Sequence, residues 1–425
     1  MAWKKRMEHS AQVTLPPLKI KKNWQMKHIT ILFLVLLVSV SSSGQQMVNN
    51  LLKARAEIES GNPDAAISAI NRSLAVTRDS RLFTERAEAS VLKGDYSSAI
   101  SDYNEADKLS AGSGEYGLAR IYALKGDAAT STYHLALSMK SSFRKPEKEI
   151  MLDPAFKAIE KSQEWRQFWK QNWYSTLEKD LSQIEYLTES GKIADARQLL
   201  SEIKAGYSDN SEALYAEALV DIADGKYKEA VSILSGLGDG TSVNPKYLRL
   251  LAKAQVFSSN AAGASDTYTR LIDSGVADAG LYLKRAECYS HTGESNRALA
   301  DIIKYLNYYP DNKKAISMAG REEVKSGDNL KALEYFSRNI KLHPGDPECY
   351  VDRADSYFIS RSWKWAEDDY SMSLDLDPGN PDAWLNKGIS LLNEGKTEDA
   401  CHDFRIAFRL GNKRATDYIS RNCIK

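Results

Sequence analysis

The sequence predicts an all-α protein in which helical hairpins stack into a right-handed superhelical solenoid. Alanine recurs every 34 residues in the C-terminal part of the chain, an interval typical of stacked hairpins. The alanines are Ala196, Ala230, Ala264, Ala298, Ala332, Ala366 and Ala400. A second series of small residues keeps the same interval: Ala218, Ala252, Ala286, Gly320, Ala354 and Gly388. A large residue follows each alanine by four positions: Leu200, Leu234, Tyr268, Ile302, Phe336, Tyr370 and Phe404.

Each series has a physical role in a hairpin. Small residues on facing helices let the backbones approach, and the large residue one turn later fills the space beside them. Turn glycines end the first helices at Gly191, Gly225, Gly293, Gly327 and Gly395, and prolines close three units at Pro310, Pro344 and Pro378. Ser259 and Arg361 replace the turn glycine, and Ile184 replaces the first small residue. We expect these replacements to weaken single turns and to leave the register intact.

The best-matched unit is PDAWLNKGISLLNEGKTEDACHDFRIAFRLGN, residues 381–412, with Trp384, Gly388, Ala400, Phe404 and Ala407 at its signature positions. This unit resembles the tetratricopeptide repeat, a 34-residue helix–turn–helix. The resemblance covers residues 177–414 as seven units without a gap. It implies a scaffold whose inner face, lined by the first helices, binds extended peptides or partner helices.

A shorter array, residues 45–145, is predicted to precede this one as about three repeats. Residues 146–176 break the register and are predicted to be a capping segment that covers the end of the first array. Asp153 before Pro154 indicates a helix start. Trp165, Trp169 and Trp173 are spaced four apart, which predicts one aromatic face on a helix. We expect this face to be buried; an exposed aromatic ligand shelf is the alternative.

Residues 1–44 are predicted to be a basic extension and a secretory signal peptide. The stretch MKHITILFLVLLVSVSSSGQQ, residues 26–46, has a basic start, a short apolar core and small residues before a cleavage point at Gly44. Its apolar core is shorter than the roughly 20 residues that a membrane span needs. The pattern therefore predicts an exported protein, periplasmic or secreted, with a single uncleaved N-terminal anchor as the alternative.

Candidate catalytic and metal motifs fail on spacing. The chain has 57 basic and 57 acidic residues, so no electrostatic footprint for nucleic acid is present. The stretch DLDPGN, residues 375–380, has its glycine one position too early for a helix–loop–helix calcium site and lacks the closing glutamate, so it predicts a turn between repeats. The six histidines show no ligand spacing, and no nucleotide-binding motif is present. We expect no enzyme activity, cofactor or metal.

The register assigns eight charged residues to the inner face of the second array. They are Lys246, Arg249, Lys253, Glu287, Lys314, Arg321, Lys325 and Asp355. Like charges without counter-charges repel, so the cations should face solvent or an anionic ligand, and an acidic partner segment is expected. The predicted function is a non-enzymatic adaptor of the cell envelope that binds a protein. The alternative is an envelope complex subunit or glycan-binding component that uses the Trp-rich segment.

The chain ends in a predicted capping helix, residues 415–425. The turn before it centres on Asn412, and Cys401 and Cys423 each lie eleven residues from that turn. Two antiparallel helices would therefore place the two cysteines side by side, where they could form a disulfide in an oxidising compartment. Two reduced buried thiols are the alternative. Cys288 and Cys349 are expected to be buried apolar residues.

Overall fold

The computed structural model describes residues 44–238 and 244–423, and these residues form 23 α-helices and one 3-10 helix without a β-strand. The all-α prediction is confirmed. The predicted signal peptide and its basic extension lie outside the described residues, apart from Gly44. Among the described helices, none combines the length and the apolar composition that crossing a bilayer requires.

Ten helical hairpins, three further α-helices and the 3-10 helix make up the described part of the chain. The first array contains α1 (44–59), α2 (Pro63–Leu74), α3 (Ser80–Leu92), α4 (Tyr96–Leu109), α5 (Glu115–Leu124) and α6 (Ala128–Met139). The connecting segment contains α7 (Glu147–Leu152), a 3-10 helix (Pro154–Ala158) and α8 (Gln163–Phe168). The second array contains α9 (Thr176–Glu189), α10 (Ile193–Tyr207), α11 (Ser211–Ala223), α12 (Tyr227–Gly238), α13 (Pro245–Phe257), α14 (Ala261–Asp273), α15 (Gly280–His291), α16 (Ser295–Leu306), α17 (Lys313–Ser326), α18 (Asn329–Leu342), α19 (Pro347–Ile359), α20 (Trp363–Leu376), α21 (Pro381–Asn393) and α22 (Thr397–Arg409). The last helix is α23 (Ala415–Asn422).

Close helix packing inside the hairpins follows from the small residues. A Cβ atom placed on Gly388 would lie 2.6 Å from Cε1 of Phe404, so the aromatic ring occupies the space that a side chain would need. Phe336 stands in the same way against Gly320. The repeating alanines are fully buried, Ala400 among them. Substituting a larger residue at such a position would overpack the hairpin.

Buried ion pairs join the two helices of several hairpins. Arg285 and Asp301 are 2.7 Å apart, and Arg353 and Asp369 are also 2.7 Å apart, each as a bidentate pair across a hairpin. The aspartates are buried, at 6% exposed each. A buried carboxylate loses its hydration, and the two parallel hydrogen bonds from the guanidinium replace it.

The turn of every hairpin holds one residue in the left-handed backbone region. Glycine occupies eight of these ten positions, and Ser259 (φ 60°) and Arg361 (φ 58°) occupy the other two. These two are the replacements that the sequence register singled out, and the turns keep the same geometry. A residue with a Cβ atom is strained in this region, so the register is maintained at a local cost.

The connecting segment packs on the end of the first array, but its aromatic residues do not share one helix face. Helix α8 ends at Phe168, and Trp173 lies beyond it, where its indole nitrogen donates to the Phe168 carbonyl at 2.8 Å. The prediction of a single stripe of tryptophans is therefore wrong, because the chain turns after one and a half helical turns. Trp165 is buried, and Trp169 and Trp173 pack partly buried against the same apolar cluster.

The first array returns to contact the second array. One apolar cluster joins α1 residues such as Met47 and Leu51 with Ala277, Ala279 and Tyr282. Polar contacts flank this cluster. The Tyr308 hydroxyl donates to Asn49 Oδ1 at 3.2 Å, and the Tyr309 hydroxyl donates to Glu59 at 2.9 Å. The two arrays are thus held together by direct packing as well as by the connecting segment.

A disulfide ties α23 to the last hairpin. Cys401 and Cys423 are bonded, with their Cα atoms 5.6 Å apart, and α23 packs on α22 through contacts such as Phe404 with Tyr418. Cys288 and Cys349 are buried and unbonded. The bond closes a loop of about 20 residues, for which chain-entropy arguments give about 3 kcal/mol.

We expect Arg361→Gly to raise the free energy of unfolding by about 0.5–1 kcal/mol, because glycine carries no Cβ penalty in the left-handed region. The reverse change, Gly395→Arg, should lower it by a similar amount. No atom lies within 4 Å of a Cβ atom built on Gly395, so the cost there is conformational. Urea unfolding followed by circular dichroism measures both variants. A less stable Arg361→Gly protein would contradict this account of the turns.

We expect Cys423→Ser to loosen α23, because the helix then loses its covalent tie to α22. Hydrogen exchange of the amides of residues 415–422 should become faster, and the same change should follow treatment of the parent protein with a reductant. The control is reductant added to Cys423→Ser, which should have no further effect. Non-reduced peptide mass spectrometry that finds two free thiols in protein purified without reductant would overturn the assignment.

Candidate binding groove

A groove of about 1050 Å³ lies between the first helices of neighbouring hairpins in the second array. Helices α11, α13, α14 and α15 and the turn between α13 and α14 supply its walls. Its lining residues are Tyr215, Lys246, Arg249, Leu250, Lys253, Val256, Phe257, Ser259, Asn260, Ala261, Ala262, Tyr268, Lys284, Glu287, Cys288, His291 and Thr292.

Local sequence explains why α13 presents three cations to this groove. The helix begins with Asn244 as its cap, whose side chain accepts a hydrogen bond from the Lys246 amide at 3.0 Å, and Pro245 follows in the first turn. Lys246, Arg249 and Lys253 are three and four residues apart, so they lie along one side of the helix. The other side is apolar and buried among neighbouring hairpins.

The groove combines this positive charge with an apolar floor. Phe257 is 49% exposed and Val256 is 46% exposed, although both are large apolar residues. Tyr268 and Cys288 lie deeper, and burial raises the pKa of the tyrosine to about 12 and that of the thiol to about 11. Lys284 adds a fourth cation from α15. Exposed apolar side chains rimmed by charge are typical of an interaction site.

Two of the four groove cations have internal counter-charges. Lys246 Nζ is 2.7 Å from Glu212 and stands 4.0 Å above the Tyr215 ring, and Arg249 is 2.7 Å from Asp278. Lys253 and Lys284 have no carboxylate within 4.0 Å in the described part of the chain. These two ammonium groups are therefore the positive charges that are free to meet an anionic group.

The structure brings together half of the residues predicted for the inner face. Lys246, Arg249, Lys253 and Glu287 line the groove. The other four, Lys314, Arg321, Lys325 and Asp355, lie outside its lining. Asp355 instead accepts a 2.5 Å hydrogen bond from Tyr370 within its own hairpin, and burial raises the pKa of its carboxyl group.

Most of the inner cations that were predicted to face solvent or an anionic ligand have a counter-charge within the protein. Besides Lys246 and Arg249, Lys314 pairs with Glu287 at 2.5 Å, Arg321 with Asp352 at 2.7 Å and Lys325 with Glu322 at 2.7 Å. The partners of Lys314 and Arg321 lie on neighbouring hairpins, and adjacent stacking brings them into reach. The pairs of Lys246, Arg249 and Lys314 are exposed on both sides and contribute only about 0–1 kcal/mol to stability, so they remain open to exchange with a ligand. The carboxylates of Asp352 and Glu322 are buried, so these two pairs are part of the packed structure.

Two motifs outside the groove have structural explanations. In DLDPGN, Asp377 Oδ1 accepts a hydrogen bond from the Gly379 amide at 2.9 Å, so this carboxylate shapes the turn between repeats. In the Trp-rich segment, Phe168 stacks on Trp173 with ring centroids 4.8 Å apart, and Trp165 is 6% exposed. This packing leaves no open row of three indoles for a sugar to stack on.

Sequence reasoning missed several residues that matter for the groove. Lys284, Phe257 and Tyr268 line it, and Asp278 pairs with one of its arginines. Phe257 could have been found, because it occupies the same repeat position as Lys325, which the register did assign to the inner face. Asp278 carries no such signal, since it lies in a turn between hairpins.

Comparison with known proteins identifies the repeat. Two family models, both described as Tetratricopeptide repeat, match residues 51–114, 317–381 and 370–402. A curated relative, the DnaJ homolog subfamily C member 7 homolog of Schizosaccharomyces pombe, is 27% identical over 182 residues, which cover 37% of this chain and 37% of the relative. The chain therefore spans little more than a third of that relative.

Two solved structures match a larger share of the chain than this relative does. The C-terminal part of a TPR repeat-containing protein from Cytophaga hutchinsonii matches with a TM-score of 0.47 and 15% identity, covering 56% of this chain and 99% of that one. A tetratricopeptide repeat protein from Parabacteroides merdae matches with a TM-score of 0.46 and 19% identity, covering 58% of this chain and 99% of that one.

We expect Cys288 to react slowly with iodoacetamide at pH 8, because its pKa is raised to about 11 and only the thiolate reacts. The thiolate fraction should be roughly 100-fold lower than for a thiol of pKa 9, and the rate should rise up to about pH 11. Peptide mass spectrometry, which separates Cys288 from Cys349, measures the rate. A rate that levels off near pH 9 would contradict the burial of this thiol.

Proposed function

This chain is a tetratricopeptide-repeat protein, and from that premise we propose that it is a non-enzymatic scaffold of the cell envelope. In this proposal, the groove between α13 and α15 holds an acidic segment of a protein partner. The chain would then act by bringing that partner to a fixed place rather than by chemistry.

The observation that carries the proposal is the composition of the groove. Four lysine or arginine side chains and one carboxylate surround an apolar floor, and Lys253 and Lys284 have no internal counter-charge among the described residues. Burial of apolar side chains on the floor supplies affinity, whereas the cations select and orient an acidic chain. A partner segment with alternating acidic and apolar residues fits both surfaces.

Export is supported by two separate features. Residues 26–46 have the composition of a secretory signal, and the Cys401–Cys423 disulfide belongs to an oxidising compartment such as the periplasm or the extracellular space. An uncleaved N-terminal anchor would place the same groove on the same side of the membrane, so the proposal for the groove does not depend on cleavage.

The test uses a short fluorescein-labelled peptide of alternating glutamate and leucine, with binding measured by anisotropy. We expect Lys253→Glu combined with Lys284→Glu to weaken binding by about tenfold or more, because attraction is replaced by repulsion at both free cations. Binding to the parent protein should also weaken as salt rises, since the cations are exposed to solvent.

The matched control is Lys341→Glu, a charge reversal of an exposed lysine on α18, outside the groove. This variant should bind the peptide like the parent protein. The same loss of affinity per reversed charge in the control and in the double groove variant would mean that net charge alone attracts the peptide. That result, or no binding at all, would refute the proposed function.

A further inference from the structure

The loop over residues 274–279, between α14 and α15, is held on one side by the first array. Arg55 donates a hydrogen bond to the Ala277 carbonyl, and Arg81 donates to the Gly275 carbonyl at 3.4 Å. Ala277 and Ala279 are buried in the apolar cluster that contains α1. The backbone of this loop is therefore fixed by side chains about 200 residues earlier in the sequence.

The opposite side of the same loop reaches the groove. Asp278 Oδ2 is 2.7 Å from Arg249 Nη1, and Asp278 Oδ1 accepts a hydrogen bond from the Gly280 amide at 2.9 Å, at the start of α15. The side chains of Arg249 and Asp278 are 41% and 37% exposed, so water and ligands can reach the pair. Asp278 thus occupies a groove arginine that an acidic segment would otherwise bind.

We infer that docking of the first array on the 274–279 loop regulates the groove, by holding Asp278 on Arg249 as an internal competitor for an acidic ligand. This inference rests on the proposed function of the groove. Loosening the loop should release Arg249 and tighten binding of an acidic segment. By thermodynamic linkage, a ligand that takes Arg249 from Asp278 should in turn loosen the loop.

The first experiment substitutes Asp278, the internal competitor for Arg249. Asp278→Asn removes the charge, while the amide oxygen can still accept the hydrogen bond from Gly280. We expect this variant to bind the glutamate–leucine peptide about two- to fivefold more tightly, the range that exposed ion pairs support. Glu212→Gln, which frees Lys246 in the same way, should give a similar gain.

The second measurement loosens the loop from the side of the first array. Arg55→Ala with Arg81→Ala removes both donors to the loop carbonyls, and we expect tighter peptide binding although two positive charges are lost. In this background Asp278→Asn should add little, because Arg249 is already released, whereas Glu212→Gln should add its full gain. The control for charge is Arg72→Ala with Arg78→Ala, which lie in the first array and do not contact the loop.

Hydrogen exchange without peptide gives an independent readout of the loop. The amides of residues 280–282 should exchange faster in the Arg55→Ala, Arg81→Ala protein than in the parent and the control. Unchanged exchange there, or a full additive gain from Asp278→Asn in the loosened protein, would overturn the regulation while leaving the groove intact. Peptide affinity that is unchanged by Lys253→Glu combined with Lys284→Glu would instead refute the binding site itself.

Discussion

The close approach of two backbones within each hairpin is the contact on which the rest of this structure depends. Where the first helix carries Gly388, the ring of Phe404 fills the place of a side chain, and Ala400 is fully buried beside it. Hairpins of equal thickness stack at equal spacing. The first helices of two consecutive hairpins, α13 and α15, therefore lie side by side. The groove between these two helices therefore depends on the close packing inside each hairpin, although the residues of that packing do not line the groove themselves.

Local features of the fold were predictable because the repeat carries them in a fixed register. Even the unusual turn residues, Ser259 and Arg361, hold the left-handed conformation that their position requires. The connecting segment was less predictable, since the spacing of its tryptophans indicated one helix and the chain turns after Phe168. Spacing alone does not say where a helix stops, and here the aromatic residues before and after the turn pack into the same cluster as Phe156 and Ile159.

The groove was predictable only in part. The register placed Lys246, Arg249 and Lys253 correctly on one side, because helical spacing depends on sequence alone. It did not give the ion pairs of those residues, since Glu212 and Asp278 lie about one repeat away and reach the groove only after stacking. The contact between α1 and the loop at Ala277 could not be predicted from the sequence, because it depends on the accumulated curvature of the intervening hairpins.

That return contact changes how such a chain can fold. A linear array makes contacts between neighbours only, so its folding can begin at any repeat and its end repeats open first. Here Tyr308 meets Asn49 across 259 residues, and this pairing can form only after the hairpins between them have taken their final curvature. Bringing two residues so far apart in sequence together costs conformational entropy, and this cost grows with the logarithm of the number of residues between them. The return contact between α1 and the second array should therefore form last, after the first array has stacked, and once formed it holds the first described hairpin against fraying.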